Sequence, residues 1–255
     1  MPEIKPIRTK TEGDVLQPKL PFRSLPCNSL NIGPSGSGKT LTLIRTLIDA
    51  DKLGGRFQKY LLFSPNIFVD PQYKILINYV EETTGQKEEE FCFEDFDQEE
   101  IRKLMTEQKK VNAYLRKMDS KRLMSACILI DDFGERADLV KAQGSIINSL
   151  FTRGRHLQIS VYGLLLQRFR LANPTIRYNA HALYVHKLNN QKDLIAIAEE
   201  FSASTGGIDN FIAMYRKATS KKYGFLFITT GAEPRFFSSY SSEFKVRPES
   251  ESEEE

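Results

Sequence analysis

Short apolar runs alternate along the chain with stretches whose apolar residues recur every three or four positions. The first kind predicts strands over Ser29–Ile32, Lys59–Ser64, Ala126–Asp131, Gln158–Gln167 and His181–Lys187, and later over Tyr223–Thr229. The second predicts helices over Lys39–Ala50, Gln98–Met118, Leu139–Phe151, Gln191–Phe201 and Ile208–Arg216. The strand runs, such as "ACILID" and "ISVYGLLL", are continuous rather than alternating, so both faces of each strand must be covered. Such strands separated by helices build an α/β fold: a mostly parallel sheet with helices on both faces.

At 255 residues the chain suits one large domain, or one domain with additions. Residues 1–26 carry Pro2, Pro6, Pro18, Pro21 and Pro26 and predict an irregular arm. The body runs from 27 to 242. Residues 243–255 hold six acidic and two basic residues and read as a solvated, disordered tail. Without that tail the net charge of +3 becomes +7, which suits an anionic partner without requiring one. One predicted helix stands apart. Ile101, Leu104, Gln108, Val111, Leu115 and Met118 form its stripe, and residues 102–122 hold eight Lys/Arg against two acidic residues. Its polar side is either an ordinary solvated face or a surface turned toward DNA.

Cys27, Cys92 and Cys127 have neither metal-binding nor CxxC spacing and read as buried thiols in a reducing compartment. The N-terminal "MPEIKPIRTKTEGD" is polar and does not read as a signal peptide. The apolar run Ile159–Leu166 is far short of the ~20 residues that span a membrane. A soluble, intracellular protein is expected.

The segment "GPSGSGKT", Gly33–Thr40, fits G-x-x-x-x-G-K-[ST] between a predicted strand and a predicted helix. In that arrangement Gly33, Pro34, Ser35, Gly36, Ser37 and Gly38 form a loop whose backbone N–H groups, with the helix N-terminus, cradle phosphates. Lys39 supplies a point charge to the terminal phosphates, and Thr40 a hydroxyl to Mg²⁺. A second anchor for that ion is Asp131, which closes the buried run Ile128–Ile130, because ligands gather at the carboxyl ends of such strands. Asp132 follows at once. It is read as the group that orients the attacking water, its alternative being a helix cap or a surface acid.

Two other nucleotide enzymes compete. "DDFG" fits the D-x-x-G of GTPases, but in "NQKD", Asn190–Asp193, the lysine comes one place late for guanine reading. "SAS", Ser202–Ser204, falls in a helical pattern where a GTPase places a loop. A nucleotide or metabolite kinase accounts for the P-loop, but not for an acidic pair at one strand end and a glutamine, Gln167, at the next. In the P-loop ATPases with an additional strand, that strand lies between the P-loop strand and the acidic one and ends in a polar residue sensing the γ-phosphate. Gln167 stands at that position in the predicted order.

Together "GPSGSGKT", "ILIDDF", "LFTRGRH…ISVYGLLLQ" and "IRYNAHALYVHK" resemble the DNA-packaging ATPases of nucleocytoplasmic large DNA viruses, virophages and Polinton-type elements, within the FtsK–HerA superfamily. The resemblance covers roughly Asn28–Lys187. It implies a RecA-like P-loop ATPase using ATP and Mg²⁺. It also implies a homo-oligomeric ring at a capsid vertex or portal, driving double-stranded DNA inward without sequence readout, intracellular in the host or virion-associated. It assigns Gln167 as the sensor, and Arg155 or Arg153 as an arginine finger reaching a neighbouring subunit's nucleotide. Taken alone, Arg153, Arg155 and His156 also suit a helix C-terminus. Many members carry glutamate where Asp132 stands, which leaves open which group activates water.

Overall fold

The computed structural model of the chain describes residues 15–133 and 144–245. Among these, nine strands form one sheet: β1 (Ser29–Ile32), β2 (Lys59–Phe63), β3 (Cys92–Phe93), β4 (Ala126–Ile130), β5 (Ile159–Leu166), β6 (Ala182–His186), β7 (Phe225–Thr229), β8 (Arg235–Ser238) and β9 (Ser242–Phe244). The order is β3-β2-β4-β5-β1-β6-β7-β8-β9. The pairs from β3 to β6 are parallel, and β7, β8 and β9 extend the sheet antiparallel. The additional strand is therefore present, since β5 pairs with both β1 and β4.

The helices are α1 (Lys39–Ile48), α2 (Pro71–Thr84), α3 (Glu88–Phe91), α4 (Gln98–Lys117), α5 (Ile146–Arg153), α6 (Pro174–Tyr178), α7 (Gln191–Thr205) and α8 (Ile208–Ala218). Strand side chains alternate between two cores. Leu61, Phe63, Ile128 and Ile130 pack with Ile101, Leu104, Ile147 and Ile197, under α4, α5 and α7. Tyr60, Leu62, Cys127 and Leu129 pack with Leu43, Leu47, Tyr73 and Leu76, under α1 and α2. Continuous apolar strands were required for this, because each face buries its own set.

Several elements differ from the expectation. The segment expected as a helix over Leu139–Phe151 lies partly outside the described residues, and α5 starts at Ile146 behind a Ser145 cap. Helix α2 was not anticipated, although Asp70 caps it, Pro71 opens it and Tyr73, Leu76, Ile77 and Val80 are buried. Exposed Ile75 blurs its period. The buried stripe of α4 is Ile101, Leu104, Gln108 and Asn112, with Val111 and Met118 exposed. Asn112 wins the inward position because it bridges the Met124 backbone, donating to its carbonyl at 3.0 Å and accepting from its N–H at 2.8 Å. A buried amide so paired carries no desolvation debt. On the outer face of α4, Arg102 and Lys103 pair with Glu99 and Glu100. In the described part of the arm, Val15, Phe22 and Leu25 are buried, and the Phe22 ring lies 5.0 Å from that of Tyr240.

Gly163 lets β5 pass beneath the P-loop helix. Its φ is +145°, and an added Cβ would sit 2.4 Å from Cδ2 of Leu43, which is itself fully buried. Gly163→Ala should destabilise the fold by about 1–3 kcal/mol through overpacking and backbone strain. A denaturant-unfolding midpoint unchanged from the parent would refute this.

Candidate nucleotide site

The carboxyl ends of β1, β2, β4 and β5 open into one cleft of about 520 Å³, lined by Gly36, Lys39, Thr40, Asn66, Tyr73, Asp131, Asp132, Gln167 and Tyr223 among others. This is where a parallel sheet collects ligands. The loop Gly33–Gly38 leaves β1 held by Gly33 N–H donating to the Leu166 carbonyl at 3.1 Å. Gly38 caps α1 at φ +93°, where a Cβ would also meet the Tyr223 ring at 2.8 Å. Gly33 has no room either, because a Cβ there would lie 2.8 Å from the Cβ of His186. The Lys39 ammonium folds back to donate to the carbonyls of Gly33 and Pro34, at 2.8 and 2.9 Å. Burial lowers its pKa, and the carboxylates of Asp131 and Asp132 oppose that shift.

Asp131 is buried, and its backbone N–H donates to the Phe63 carbonyl of the neighbouring strand. Its Oδ2 accepts from the Thr40 hydroxyl at 2.7 Å and from the Tyr73 hydroxyl. Burial raises the Asp131 pKa, while the Tyr73 and Thr40 donors and the Lys39 charge pull it back. A carboxylate and a hydroxyl oxygen converging beside a lysine are hard oxygen donors of the kind Mg²⁺ accepts together with water and phosphate oxygens. Tyr73→Phe removes one of the donors that stabilise the ionised carboxylate. The acid limb of the hydrolysis pH profile should therefore move to higher pH, with the neutral plateau less affected. An unmoved acid limb would show that Asp131 does not govern it.

Asp132 sits in the left-handed region at φ +62°, a conformation aspartate tolerates better than most residues. Its Oδ2 accepts from the Asn66 amide at 2.9 Å. Gln167 lies one residue beyond the end of β5, exposed on the cleft wall. His186, fully buried at the end of β6, has its pKa lowered to about 4, chiefly by burial and also by the Lys39 charge, so it stays neutral at physiological pH. The structure thus brings together Lys39, Thr40, Asp131, Asp132 and Gln167. It does not bring Arg153 or Arg155 to them. Both lie at the amino end of β5, roughly 25 Å from the cleft at about 3.3 Å per strand residue.

Asn66, Tyr73 and Tyr223 were missed in the sequence. The signal available for Asn66 was its place just past the carboxyl end of β2, whereas Tyr73 sits on α2, a helix the sequence did not announce. Tyr223 comes from distant chain and only folding delivers it. The guanine-reading candidates go elsewhere: Asn190 caps α7, accepting from Lys192 N–H at 2.8 Å, and Asp193 is buried in that helix. None of the three lines the cleft. Ser202–Ser204 lie within α7.

The chain matches the poxvirus A32 protein family over residues 21–240. It belongs to that family. The resemblance to viral packaging ATPases drawn from the motifs is thereby borne out, and the cleft is that of a P-loop ATPase. No curated protein matches the chain. Among solved structures, the fold is similar to the genome packaging NTPase B204 from Sulfolobus turreted icosahedral virus 2. In complex with AMP, that protein aligns at 15% identity and TM-score 0.50, covering 82% of this chain and 96% of its own. In complex with ATP-gammaS the values are 14%, 0.50, 86% and 98%. EssC (ATPases 2 and 3) from Geobacillus thermodenitrificans aligns at 17% identity and TM-score 0.48, over 69% of this chain and 35% of that one. No helix among the described residues is long and apolar enough to cross a membrane.

Proposed function

We propose that this A32-family chain hydrolyses ATP to move double-stranded DNA into a viral capsid, working as a homo-oligomeric ring at a vertex or portal. The observation that carries the reading is the strand order. With β5 between β1 and β4, Gln167 faces the same cleft as Lys39, Thr40, Asp131 and Asp132. Neither a GTPase nor a small-molecule kinase needs that arrangement. The B204 protein, of the same fold, is a genome packaging NTPase, which supports the assignment.

In this mechanism the loop N–H groups of Ser35–Gly38 bind the phosphate chain, and Lys39 exchanges its two carbonyl partners for phosphate oxygens. Thr40 and Asp131 would hold Mg²⁺, which would supply charge neutralisation to the phosphate chain. Asp132 takes the proton of the attacking water or fixes its direction, and Gln167 contacts the γ-phosphate or that water. The Asn66 amide orients Asp132. Asn66→Ala should lower kcat about ten-fold, the worth of one hydrogen bond to a carboxylate, with KM for ATP little changed. An equal rise in KM would reassign Asn66 to nucleotide binding.

Arg155 or Arg153 reaches the nucleotide of a neighbouring subunit, since neither is near its own cleft. Exposed Arg168 and Arg170, which follow Gln167, are candidates for DNA phosphate contacts. Arg177 is less so, since it is paired with Glu200 and lies over the Phe169 ring. The test is the ATPase rate per subunit against protein concentration, with and without duplex DNA. The rate should rise with both. A rate indifferent to concentration and DNA overturns the ring and the translocase together, and a strong preference for GTP overturns the nucleotide assignment.

A further inference from the structure

At the sheet edge opposite the nucleotide cleft lies a second cavity, of about 480 Å³. Its wall combines Arg23 and Ser24 of the N-terminal segment, Arg155 before β5, His181 before β6, Glu233 of the β7–β8 turn and Arg235, the first residue of β8. These residues come from four separate parts of the sequence, and the parallel run of β5, β1 and β6 brings the amino ends of β5 and β6 to the same side of the sheet, one strand apart. Arg235 is neutralised by a two-pronged pair with Glu243, at 2.6 and 2.7 Å. Arg23 and Arg155 are exposed and make no ion pair or side-chain hydrogen bond among the described residues. Glu233 is the one carboxylate on this wall among the described residues, so the cavity keeps a positive balance.

His181 supplies a third donor. Its Nδ1 accepts the Asn28 backbone N–H at 3.0 Å, which fixes the proton of the neutral ring on Nε2. Burial lowers the His181 pKa, and Arg23 and Arg155 lower it further, so both guanidinium groups act on the same ring. The arm that carries Arg23 is fixed by buried Phe22 and Leu25.

We infer that this cavity is a second phosphate-binding site, in which the guanidinium groups of Arg23 and Arg155 clamp a phosphoryl group and His181 Nε2–H donates to it. Guanidinium forks match phosphate oxygens in pairs, and two of them on a fixed frame outbind one on a flexible turn. The phosphoryl group comes either from a neighbouring subunit's ATP or from a DNA backbone. That choice of source rests on the ring and DNA reading above, whereas the existence of the site does not.

The site is tested first in full-length protein carrying Lys39→Ala, which weakens the primary cleft, using tripolyphosphate as the probe in titration calorimetry. Residual binding is expected, and Arg23→Ala and Arg23→Glu should each weaken it at least ten-fold, whereas Arg23→Lys should weaken it less. Equal binding by all four proteins, with unchanged melting temperatures, overturns the site. The source is then separated in the Lys39-intact protein. If DNA supplies the phosphate, Arg23→Ala weakens duplex binding and flattens its salt dependence by about one unit of slope. If a neighbour's ATP supplies it, duplex binding is unmoved, and the rise of ATPase rate with protein concentration is lost. Failure of both arms while the tripolyphosphate result stands would leave the site intact and count against the ring and DNA reading alone.

Discussion

Exchange of Asp131 for asparagine should lower ATP hydrolysis by about 10²–10³-fold, the loss expected when one preorganised charge-stabilising group is removed from a reaction centre. The fold should tolerate the change. The amide carbonyl of the introduced side chain would still accept from Thr40 and Tyr73, and that side chain would carry no buried charge. Burial already raises the Asp131 pKa, so the ionised carboxylate is a cost to the protein without its ligand. The variant's melting temperature should therefore equal or exceed the parent's. Activity lost together with stability would point to a structural role. Activity retained would remove Asp131 as the ion's anchor.

Arg155→Ala should reduce the rate by about 10³-fold or more, as loss of an arginine finger does. Lys39→Ala should be similarly inactive, for a reason confined to its own cleft. Mixed together, the two inactive proteins should recover activity. A Lys39→Ala subunit still offers Arg155 to a neighbour whose P-loop is intact. The distance within one subunit makes this test decisive, because the 8 residues of β5 separate Arg155 from its own Gln167. No recovery at any ratio would limit Arg155 to its own subunit. Repeating the mixture with Arg153→Ala assigns the role between the two.

Much of the site was legible before folding, for a local reason. The P-loop is a single contiguous turn whose glycines, lysine and threonine act through backbone geometry set within eight residues. Asp131 and Gln167 were legible because each ends a continuous apolar run, and in a parallel sheet all such ends lie on one edge. The stripe of α4 was misread in its second half, since an inward Asn112 with satisfied hydrogen bonds looks polar in sequence and is buried in space. Tyr73 was hidden because nothing in "PQYKILINY" says its hydroxyl points at a carboxylate 58 residues away.

The sequence by itself determined the class of fold, the loop that holds phosphate, the acidic strand end beside it and the family. These depend on short-range patterns of burial and backbone freedom. Only the tertiary structure decided three other things. It set β5 between β1 and β4, so that Gln167 faces the nucleotide cleft. It put Asn66 on Asp132 and Tyr73 on Asp131. It gathered Arg23, Arg155 and His181 at the far edge of the sheet. The physical reason is common to all three. Strand order and the packing of distant segments are fixed by burial of the whole sheet, and no window of the chain contains that information.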